Sequence, residues 1–437
     1  MEKAAVLLLD SIGPQAGPIL QAGGLKVVES GRGFGKDSAG LAEFIRANFA
    51  PGMLRAVCLR SGTYLDTEAM SFLREAGVEL IVRFGAGTDN ISLSATCSQG
   101  ILVVNTPGQN ATSVAEKTLA MATVLCHKIG LAIGSFAACR AVAALNLVVI
   151  EAISDPATKA AVGHEISAFL EGLKVKKADC LGTELYGQNL GVIGCCGAIG
   201  TKVCTRAMSL GMRVFGCDIA GREAEGVVRV DLATLLAESD FVTIHVDLNS
   251  NTKGLIGSEQ IAQMKAGAFL LNLARAGIVD LDAVYSALQS GQLAGFASDV
   301  DDQNHPIFGL PGTILTPHIA ASTIQSEARC AVAGANQVVS WLTEGKVSSC
   351  VNFPGLSFDD QSRNGRVMIV HADQPGLIEA ISGYFGDQGI NIGTFKTVPG
   401  RKVFACSLVG PDKPLDEQAV LALSQIPHVV RVMVLGK

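Results

Sequence analysis

Charged and aromatic residues are scarce in this chain of 437 residues, and their scarcity excludes several classes of protein. Charged residues make up 17% and aromatic residues 5%, whereas hydrophobic residues make up 49%, which excludes a disordered chain. The 34 Lys and Arg residues are outnumbered by 40 Asp and Glu residues, giving a formal net charge of -6, and they form no basic cluster. We therefore expect no nucleic-acid partner, because binding a phosphate backbone needs clustered positive charge.

The cysteine spacings that build disulfide frameworks and zinc sites are also lacking. The 12 cysteines are scattered and include no Cys-x-x-Cys pair, and the adjacent Cys195 and Cys196 cannot easily bridge each other. The apolar run at the N-terminus is too short for a signal peptide and reads better as a first buried strand. We therefore expect a reduced, cytoplasmic protein without a metal site.

Long hydrophobic runs are missing, with one exception at residues 130–150. This stretch is about long enough to span a membrane, but Arg140 lies near its middle and Asn146 is also polar. Burying that arginine in lipid would cost roughly 2.5 kcal/mol or more. We therefore expect a buried or partly buried helix here and no membrane partner.

Glycine, by contrast, is abundant, with 49 residues against 14 prolines, which fits an α/β protein with many tight turns. Short apolar runs alternate with helical patterns in two regions, which predicts two parallel, doubly wound sheets. The predicted strands of the first sheet are residues 5–9, 25–28, 56–59, 80–82 and 102–105. Those of the second sheet are residues 190–193, 213–217, 241–245, 268–272, 295–298 and 313–315.

The C-terminal residues show a different order of elements. After a polar linker at residues 359–365, the patterns predict strand, helix, strand, strand, helix and strand. This is the order of the ferredoxin-like α+β fold, and its length suits a small separate module. The predicted fold class is therefore α/β, with two doubly wound domains followed by a ferredoxin-like α+β domain.

A glycine-rich loop follows the first strand of the second sheet. Residues 190–200 (LGVIGCCGAIG) end a strand and open a helix, and Asp218 closes the next strand. This is the dinucleotide fingerprint, in which glycines admit a pyrophosphate to a helix N-terminus and the carboxylate holds a ribose hydroxyl. Asp218 favours NAD because its charge repels a 2′-phosphate. Arg222 could reverse that preference, although an exposed turn arginine is the favoured interpretation.

This loop departs from the fingerprint by one residue. Gly194, Gly197 and Gly200 have the spacing Gly-x-x-Gly-x-x-Gly, whereas the fingerprint is Gly-x-Gly-x-x-Gly. The extra residue lies among Gly194, Cys195 and Cys196. We expect it to bulge, and a bulge could push the backbone into the space of the pyrophosphate.

Further sequence pieces occur in the order found in one enzyme family. They are residues 82–90 (VRFGAGTDN), 104–110 (VNTPGQN), 115–116 (AE), 182–185 (GTEL), 245–246 (HV), 272–280 (NLARAGIVD), 298–300 (SDV) and 315–323 (LTPHIAAST). Asn-x-x-Arg-x-Gly-x-Val-Asp together with Thr-Pro-His is highly specific. The chain resembles the D-isomer-specific 2-hydroxyacid dehydrogenases over nearly its whole length. Residues 370–376 (VHADQPG) and 388–392 (QGINI) resemble an ACT regulatory domain.

The resemblance implies a domain plan. Residues 1–105, with a return segment at 318–352, form a flavodoxin-like substrate-binding domain. Residues 106–317 form the NAD-binding Rossmann domain, with the active site in the cleft between the two, and residues 365–437 form the ACT domain. Residues of about 132–168 exceed the family's usual length. They could be an extra helical pair, a lineage insertion or a gene-model artefact such as retained intron sequence. The usual assembly is a homo-oligomer, a dimer or tetramer.

The resemblance also implies the catalytic residues. His318 is the base that takes the hydroxyl proton, and Arg275 is the cation that holds the carboxylate with its guanidinium fork. Asn304 stands where the family has a glutamate, while Asp301 and Asp302 are out of register. A neutral amide can orient an imidazole but cannot stabilise imidazolium, so we expect weak turnover with an acid-shifted pH profile.

Three further sets of site residues follow from the resemblance. The cofactor-binding set is Gly194, Gly197, Ala198, Ile199, Gly200, Asp218, His245, Val246, Leu273, Ala274, Asp299 and Ala320. The substrate-binding set is Arg60, Ser61, Arg83, Gly85, Ala86 and Gly87, with Arg60 open to a second interpretation as a solvated strand-end arginine. The regulatory set is His371, Asp373 and Asn391, which would bind serine, although the family usually has Asn where Asp373 stands.

The implied function is NAD-dependent oxidation of 3-phosphoglycerate to 3-phosphohydroxypyruvate in serine biosynthesis, with serine as the effector. Two alternatives remain open at this point. One is a dehydrogenase for another 2-hydroxy acid, such as 2-hydroxyglutarate or glycerate. The other is a catalytically weakened homologue that binds NAD or serine, which Asn304 and the altered glycine loop favour. For the C-terminal module, a purely dimerising role is the alternative to serine binding.

Overall fold

The computed structural model describes residues 4–135, 155, 161–162, 164–168, 171, 174–221, 224–299, 304–357 and 365–435. It divides the chain into two compact units, Met1–Asn110 with Thr323–Lys437, and Ala111–Ser322. The units divide the chain after Asn110 and after Ser322, and the C-terminal residues belong to the first unit. Most of the segment at residues 132–168, together with Arg222, Asp301 and Asp302, lies outside the described residues.

Five parallel strands form the first sheet of the first unit, in the order β2-β1-β3-β4-β5. The strands are β1 (Ala5–Leu8), β2 (Lys26–Glu29), β3 (Leu54–Leu59), β4 (Leu80–Arg83) and β5 (Leu102–Asn105). Most of their apolar side chains are buried, because helices cover both faces of this sheet. The order is that of flavodoxin-like folds, so this part of the predicted fold class is confirmed.

Helices flank this sheet between its strands. They are α1 (Ala16–Ala22), α2 (Ser38–Asn48), α3 (Thr67–Glu75) and α4 (Leu93–Ser98). Asp37 and Asp66 begin α2 and α3, and each carboxylate accepts a backbone N–H from the first turn. The return segment of the chain is the long helix α10 (Ile324–Glu344), which packs against α1 and β4.

Seven parallel strands form the sheet of the second unit, in the order β12-β11-β10-β9-β6-β7-β8. The strands are β6 (Asn189–Ile193), β7 (Arg213–Cys217), β8 (Val228–Arg229), β9 (Phe241–Ile244), β10 (Ala268–Asn272), β11 (Leu293–Ser298) and β12 (Thr313–Leu315). Successive strands are added on one side of β6 up to β8 and on its other side from β9 onward, so the strand order switches between β6 and β9. In such sheets, ligands bind beyond the carboxyl ends of the strands at that point.

The helices of the second unit cover the two faces of its sheet. They are α5 (Ala111–Cys126), α6 (Ala198–Ser209), α7 (Leu232–Glu238), α8 (Ser258–Gln263) and α9 (Leu281–Ser290). Among the described residues, no single helix has the length and apolar composition to cross a membrane, although α5 with Ile129–Ser135 passes that test as a pair bent by 71°. The inner face of α5 is packed in the unit's own core.

The C-terminal module comprises β13 (Arg366–Ala372), α11 (Leu377–Asp387), β14 (Ile392–Pro399), β15 (Phe404–Pro411), α12 (Glu417–Ser424) and β16 (Val429–Leu435). Its antiparallel sheet has the order β14-β15-β13-β16, so the predicted ferredoxin-like order is confirmed. Val367 and Ile369 face α11 and α12, whereas Met368 and Val370 join the core of the first unit. Both faces of the sheet are therefore covered.

Polar groups fasten this module to the first sheet. Arg431 of β16 is buried and donates to the carbonyl oxygens of Val78, Gly100 and Gly77 at 2.6, 3.3 and 3.4 Å. Asn352, fully buried in the chain leading to the module, accepts from the Val103 N–H at 2.9 Å. The small module is thus part of the first compact unit.

Candidate active site

Three side chains of the candidate site follow three neighbouring strands of the second unit. Arg275 comes after β10, Asp299 after β11 and His318 after β12. Because these strands are parallel, their carboxyl ends meet at one edge of the sheet. The predicted base and cation therefore belong to the same edge, separated by the strand that carries Asp299.

Asp299 is 3% exposed, and its carboxylate holds the loop that carries His318. Its Oδ1 accepts from the Ile319 N–H at 2.8 Å and from the Thr316 hydroxyl, and its Oδ2 accepts from the Ala320 N–H at 2.6 Å. Both oxygens of Asp299 are thus already used within the loop. The structure thus shows Asp299 fixing the backbone around His318, and its role as a cofactor ligand stays a prediction.

His318 is an exposed residue of this loop and has a strained backbone. Its φ is 50°, in the left-handed region that few non-glycine residues adopt, and its N–H bonds to the Thr316 carbonyl at 2.9 Å. The imidazole is exposed and makes no hydrogen bond to any described residue. Its ring nitrogens are therefore open to a ligand.

Asn272 performs the matching task for Arg275. This fully buried side chain accepts from the Ala274 N–H at 3.1 Å and donates to the Arg275 carbonyl at 2.9 Å, which shapes the turn after β10. The Arg275 guanidinium donates to the Ala274 carbonyl at 2.9 Å. Asn272 belongs to the sequence motif, but the motif alone does not predict that it positions Arg275.

Asn304 makes no hydrogen bond to His318. It lies in an exposed turn just before a short 3-10 helix, Pro306–Gly309, and makes no hydrogen bond to any described residue. Its neighbour His305 accepts from the Ile307 N–H at 3.2 Å and pairs through Nε2 with Asp282 at 3.1 Å. The expectation that Asn304 orients the imidazole therefore finds no support in this arrangement.

The two cysteines of the glycine-rich loop, one of which is its extra residue, contact β7 and Asp218. Cys195 is fully buried, with its Sγ where a Cβ on Gly216 of β7 would meet it at 2.6 Å, so a glycine there leaves it room. The N–H of Cys196 donates to Asp218 Oδ2 at 2.8 Å. The two cysteines thus lie against β7 and Asp218, whereas the bulge itself stays a prediction.

The three glycines of the loop have different reasons to be glycine. Gly194 has φ +87, and a Cβ there would lie 2.4 Å from the His245 carbonyl oxygen. A Cβ on Gly200 would lie 2.0 Å from the Gly194 carbonyl oxygen, so this glycine allows α6 to approach the strand. A Cβ on Gly197 would meet only two backbone oxygens, that of Gly194 at 3.3 Å and that of His245 at 3.8 Å, so an alanine there would be tight but much less crowded than at the other two positions.

The start of α6 offers free donors beside that open space. No acceptor among the described residues takes the backbone N–H groups of Ala198, Ile199 or Gly200. Such a helix N-terminus is suited to a pyrophosphate, which carries negative charge. The open side of Gly197 leaves room for that group.

Asp218 and His245 complete this edge. The Asp218 carboxylate accepts from the backbone N–H groups of Cys196 and Ala220, both at 2.8 Å, while Arg229 donates to the Asp218 carbonyl at 2.8 Å. His245 contacts the Thr243 hydroxyl at 3.0 Å through Nε2, and its buried Nδ1 has no partner among the described residues. Burial lowers the pKa of His245 to about 3, so this ring is neutral at physiological pH.

These features fit NAD. Four features lie at the carboxyl edge of this sheet. They are the unused donors at the start of α6, the open space beside Gly197, the carboxylate of Asp218 and the unpartnered Nδ1 of His245. Of the remaining predicted cofactor residues, Val246 lies beside Gly194, while Leu273 is buried and Ala274 half-buried in the turn after β10. Ala320 is buried with both backbone groups bonded, because its carbonyl accepts from Ser113 at 2.6 Å.

The predicted substrate residues lie in the first unit. Arg60 follows β3, and its guanidinium pairs with Glu327 of α10 at 2.8 Å and reaches the Ser11 carbonyl at 3.2 Å. Ser61 beside it is exposed and makes no hydrogen bond to any described residue. The Arg60 guanidinium is therefore already held by partners of the first unit, and no sequence pattern predicts Glu327 as one of them.

The loop after β4 presents backbone donors. Gly85 has φ +146, and its carbonyl accepts from the Thr106 N–H at 3.0 Å, while the Ala86 carbonyl accepts from Asn105 at 2.6 Å. Within the described residues, the N–H groups of Ala86 and Gly87 have no acceptor. Arg83 donates to the Phe84 carbonyl at 2.8 Å and so braces the loop.

The chain is similar in sequence to known dehydrogenases. The family model of the D-isomer specific 2-hydroxyacid dehydrogenase NAD-binding domain matches residues 161–320. D-3-phosphoglycerate dehydrogenase of Escherichia coli strain K12 is 30% identical over 452 residues, which covers 99% of this chain and 98% of that protein. The chain belongs to the D-isomer-specific 2-hydroxyacid dehydrogenase family. As a member, it is an NAD-dependent oxidoreductase.

Two further relatives place this dehydrogenase more widely. Human D-3-phosphoglycerate dehydrogenase is 32% identical over 361 residues, covering 80% of this chain and 59% of that protein. The cofactor (NAD+)-bound 3-phosphoglycerate dehydrogenase of Entamoeba histolytica has a TM-score of 0.61 at 24% identity, covering 80% of this chain and 99% of that one. That likeness shows the shared fold.

In the C-terminal module of this dehydrogenase, the three predicted regulatory residues differ in their surroundings. Asp373 and Asn391 are exposed, and neither side chain bonds to a described residue. His371 is 2% exposed; its Nδ1 donates to the Ala372 carbonyl at 2.7 Å, and its Nε2 accepts from Ser407 at 2.8 Å. Both nitrogens of His371 are thus engaged inside the sheet, whereas the other two side chains are open to a ligand.

Proposed function

We propose that this protein oxidises 3-phosphoglycerate to 3-phosphohydroxypyruvate with NAD, which is the first step of serine biosynthesis. The observation that carries the proposal is the similarity to the Escherichia coli D-3-phosphoglycerate dehydrogenase over nearly the whole chain, with the C-terminal module included. We also propose that it works in the cytoplasm as a homo-oligomer, a dimer or tetramer.

We assign the base to His318 and the cation to Arg275. The imidazole accepts the proton of the substrate's C2 hydroxyl, and the guanidinium holds the carboxylate and polarises the forming carbonyl. NAD, when bound, accepts the hydride from C2. Asp299 and Asn272 act through the base and the cation, because they fix the loops on which these two side chains stand.

We assign recognition of the substrate's two anionic ends to the first unit. The free N–H groups of Ala86 and Gly87 suit a carboxylate, and Arg60 with Ser61 suits a phosphate. Glu327 keeps the Arg60 guanidinium in place, and the two charges of a phosphate compete with its single carboxylate. A non-phosphorylated acid would lack that second anchor.

We propose that the C-terminal module is an ACT domain with serine as its effector. Asp373 and Asn391 are exposed polar groups that suit the ammonium and carboxylate of an amino acid. His371 would contribute by stiffening β13, the strand that leads into Asp373, because its ring is bonded to Ser407 and buried. A purely dimerising module is the competing assignment.

The decisive experiment follows NADH absorbance with 3-phosphoglycerate, D-glycerate or D-2-hydroxyglutarate as substrate, each with and without serine. We expect the highest kcat/KM for 3-phosphoglycerate and inhibition by serine. A preference for either other acid would overturn the substrate assignment, and turnover unaffected by serine would overturn the effector assignment.

A second candidate function is a binding protein of reduced activity. It is favoured by the observation that neither Asn304 nor any other described side chain bonds to the His318 ring. In that case calorimetry would detect binding of NAD and serine while no substrate yields NADH. The same preparation therefore separates the two candidates.

Arg60 offers a sharper test of the phosphate assignment. We expect Arg60→Ala to raise KM for 3-phosphoglycerate by about tenfold or more, since a charge-assisted hydrogen bond is worth about 1.5–3 kcal/mol. Activity on D-glycerate should change little. Arg46→Ala, on the exposed side of α2, is the matched control. Equal losses of activity on both substrates would refute the assignment of phosphate binding to Arg60.

A further inference from the structure

Three metal-ligand side chains meet beneath the glycine-rich loop. The Sγ atoms of Cys195 and Cys196 and a carboxylate oxygen of Asp218 all lie within 4.8 Å of one another. Cys195 is buried, whereas Cys196 and Asp218 are half-buried and open to solvent. One of these two cysteines is the residue by which the loop exceeds the dinucleotide fingerprint.

The spacing of the two sulfurs suits a tetrahedral metal. Two thiolates bound at about 2.3 Å with a tetrahedral angle between them lie about 3.8 Å apart. The two Sγ atoms are 3.8 Å apart in this loop. A disulfide needs about 2.05 Å, so direct oxidation of the pair requires the loop to rearrange, whereas a metal does not.

The charges around the cluster suit a divalent ion. Two thiolates and the Asp218 carboxylate carry three negative charges, and the Arg229 guanidinium, 3.4 Å from the Cys196 Sγ, carries one positive charge. The balance of two negative charges matches a dication. A bound metal deprotonates coordinating thiols outright, and soft sulfur ligands select zinc and similar ions over magnesium and calcium.

We propose that Cys195, Cys196 and Asp218 bind a thiophilic divalent cation, Zn²⁺ or Cd²⁺, and that this ion competes with NAD. The competition follows from Asp218, whose carboxylate is the acid of the dinucleotide fingerprint and cannot hold a metal and a ribose hydroxyl in the same geometry. Three protein ligands leave a fourth tetrahedral position for water. Asp218 is distant from the cysteine pair in sequence, so the spacing of the cysteines alone gives no indication of this site.

The first test titrates the reduced, metal-free full-length protein with Cd²⁺ and records the ultraviolet thiolate-to-cadmium charge-transfer absorbance. We expect saturation at one ion per chain. Cys196→Ser should weaken Cd²⁺ affinity by more than about tenfold, because it removes a half-exposed direct ligand. Cys180→Ser, which removes a half-buried thiol outside the cluster, is the matched control and should bind like the parent protein.

The second test measures NAD binding by calorimetry at increasing Zn²⁺. We expect the apparent Kd for NAD to rise in proportion to Zn²⁺ in the parent protein and in Cys180→Ser, but not in Cys196→Ser. Circular dichroism would establish that both variants are folded. An unchanged charge-transfer band in Cys196→Ser, or independent binding of Zn²⁺ and NAD, would overturn the proposal. Because neither readout needs turnover, failure of the proposed reaction leaves this test intact.

Discussion

At the scale of single residues, the carboxylate of Asp299 balances the strain in the backbone of His318. A non-glycine residue in the left-handed region costs of order 1–3 kcal/mol and persists only where its surroundings hold it. The Asp299 carboxylate accepts three hydrogen bonds from residues on either side of His318. The base therefore owes its position to a buried acid whose two carboxylate oxygens are both bonded within the loop.

Replacing this acid by its amide tests that role. In Asp299→Asn, the amide nitrogen cannot accept, so at least one loop donor, such as the Ala320 N–H, loses its partner. An unsatisfied buried donor costs about 1–3 kcal/mol. We expect kcat to fall by about tenfold or more, while the Kd of NAD from calorimetry changes by less than about twofold.

The control for this variant is Asp282→Asn, which removes a carboxylate whose side chain is 96% exposed. It should retain the parent kcat. If Asp299→Asn instead weakened NAD binding and kept kcat, Asp299 would be the cofactor ligand that the sequence predicts.

Asn304 carries the second prediction at this scale. Asn304→Glu would place a carboxylate where the family has one, and a carboxylate stabilises the imidazolium that forms as the base takes its proton. We expect kcat to rise, and the acid limb of the kcat/KM profile to move to higher pH, because a stabilised imidazolium loses its proton less readily. A pH–rate profile with 3-phosphoglycerate measures both; Asn304→Gln should show neither change.

At the scale of elements, two glycines of the loop between β6 and α6 have different roles: Gly197 leaves space for the ligand, and Gly200 lets α6 pack closely on the strand. Gly197→Ala adds a methyl group 3.3 Å from the Gly194 carbonyl oxygen, a far milder contact than at Gly200, in space that the pyrophosphate would use. We expect thermal stability near that of the parent and an NAD Kd raised by about tenfold or more. Calorimetry and thermal unfolding measure the two effects.

Gly200→Ala is the informative contrast. Its methyl group would lie 2.0 Å from the Gly194 carbonyl oxygen, so α6 must move away from the strand. We expect a clear fall in the unfolding temperature of this variant. Equal stability of the two variants would contradict the division of roles between the glycines.

The sequence predicts elements well where apolar runs are decisive. Six of the seven strands of the second sheet were predictable, whereas β8 has two residues, both exposed, and no pattern to read. The path of the extra loop residue was not predictable, because it depends on the space beside Gly216 on another strand. The strand ends gave the place of Arg275 and His318, but not the buried bonds of Asn272 and Asp299 that position them.

At the scale of the whole molecule, the first unit joins its C-terminal module to its first sheet through a buried arginine. Burial lowers the pKa of Arg431 to about 10, which leaves it charged at neutral pH, and its donors satisfy three carbonyl oxygens. Nothing in the sequence of β16 distinguishes this arginine from an exposed one. Its role depends on contacts more than 300 residues away, between Arg431 and Val78 or Gly100.

Arg431→Met tests this attachment. Methionine keeps much of the apolar stem but leaves buried carbonyl oxygens without donors, so we expect the free energy of unfolding to fall by about 1–3 kcal/mol. Chemical denaturation of the full chain measures the change. Lys413→Met, which removes an exposed amine of the same module, should cost much less. Equal effects would show that the arginine contributes no more than a surface charge.

The covered faces of the C-terminal sheet limit how copies of this chain can meet there. One face packs against α11 and α12, and the other face packs against the first unit except over most of β14, so little of the sheet is free for stacking of two such sheets. The outer strands are β14 and β16, and β14 is eight residues long and largely exposed. Self-association through this module would therefore have to extend the sheet sideways, strand against strand, and would be sensitive to a proline placed in β14.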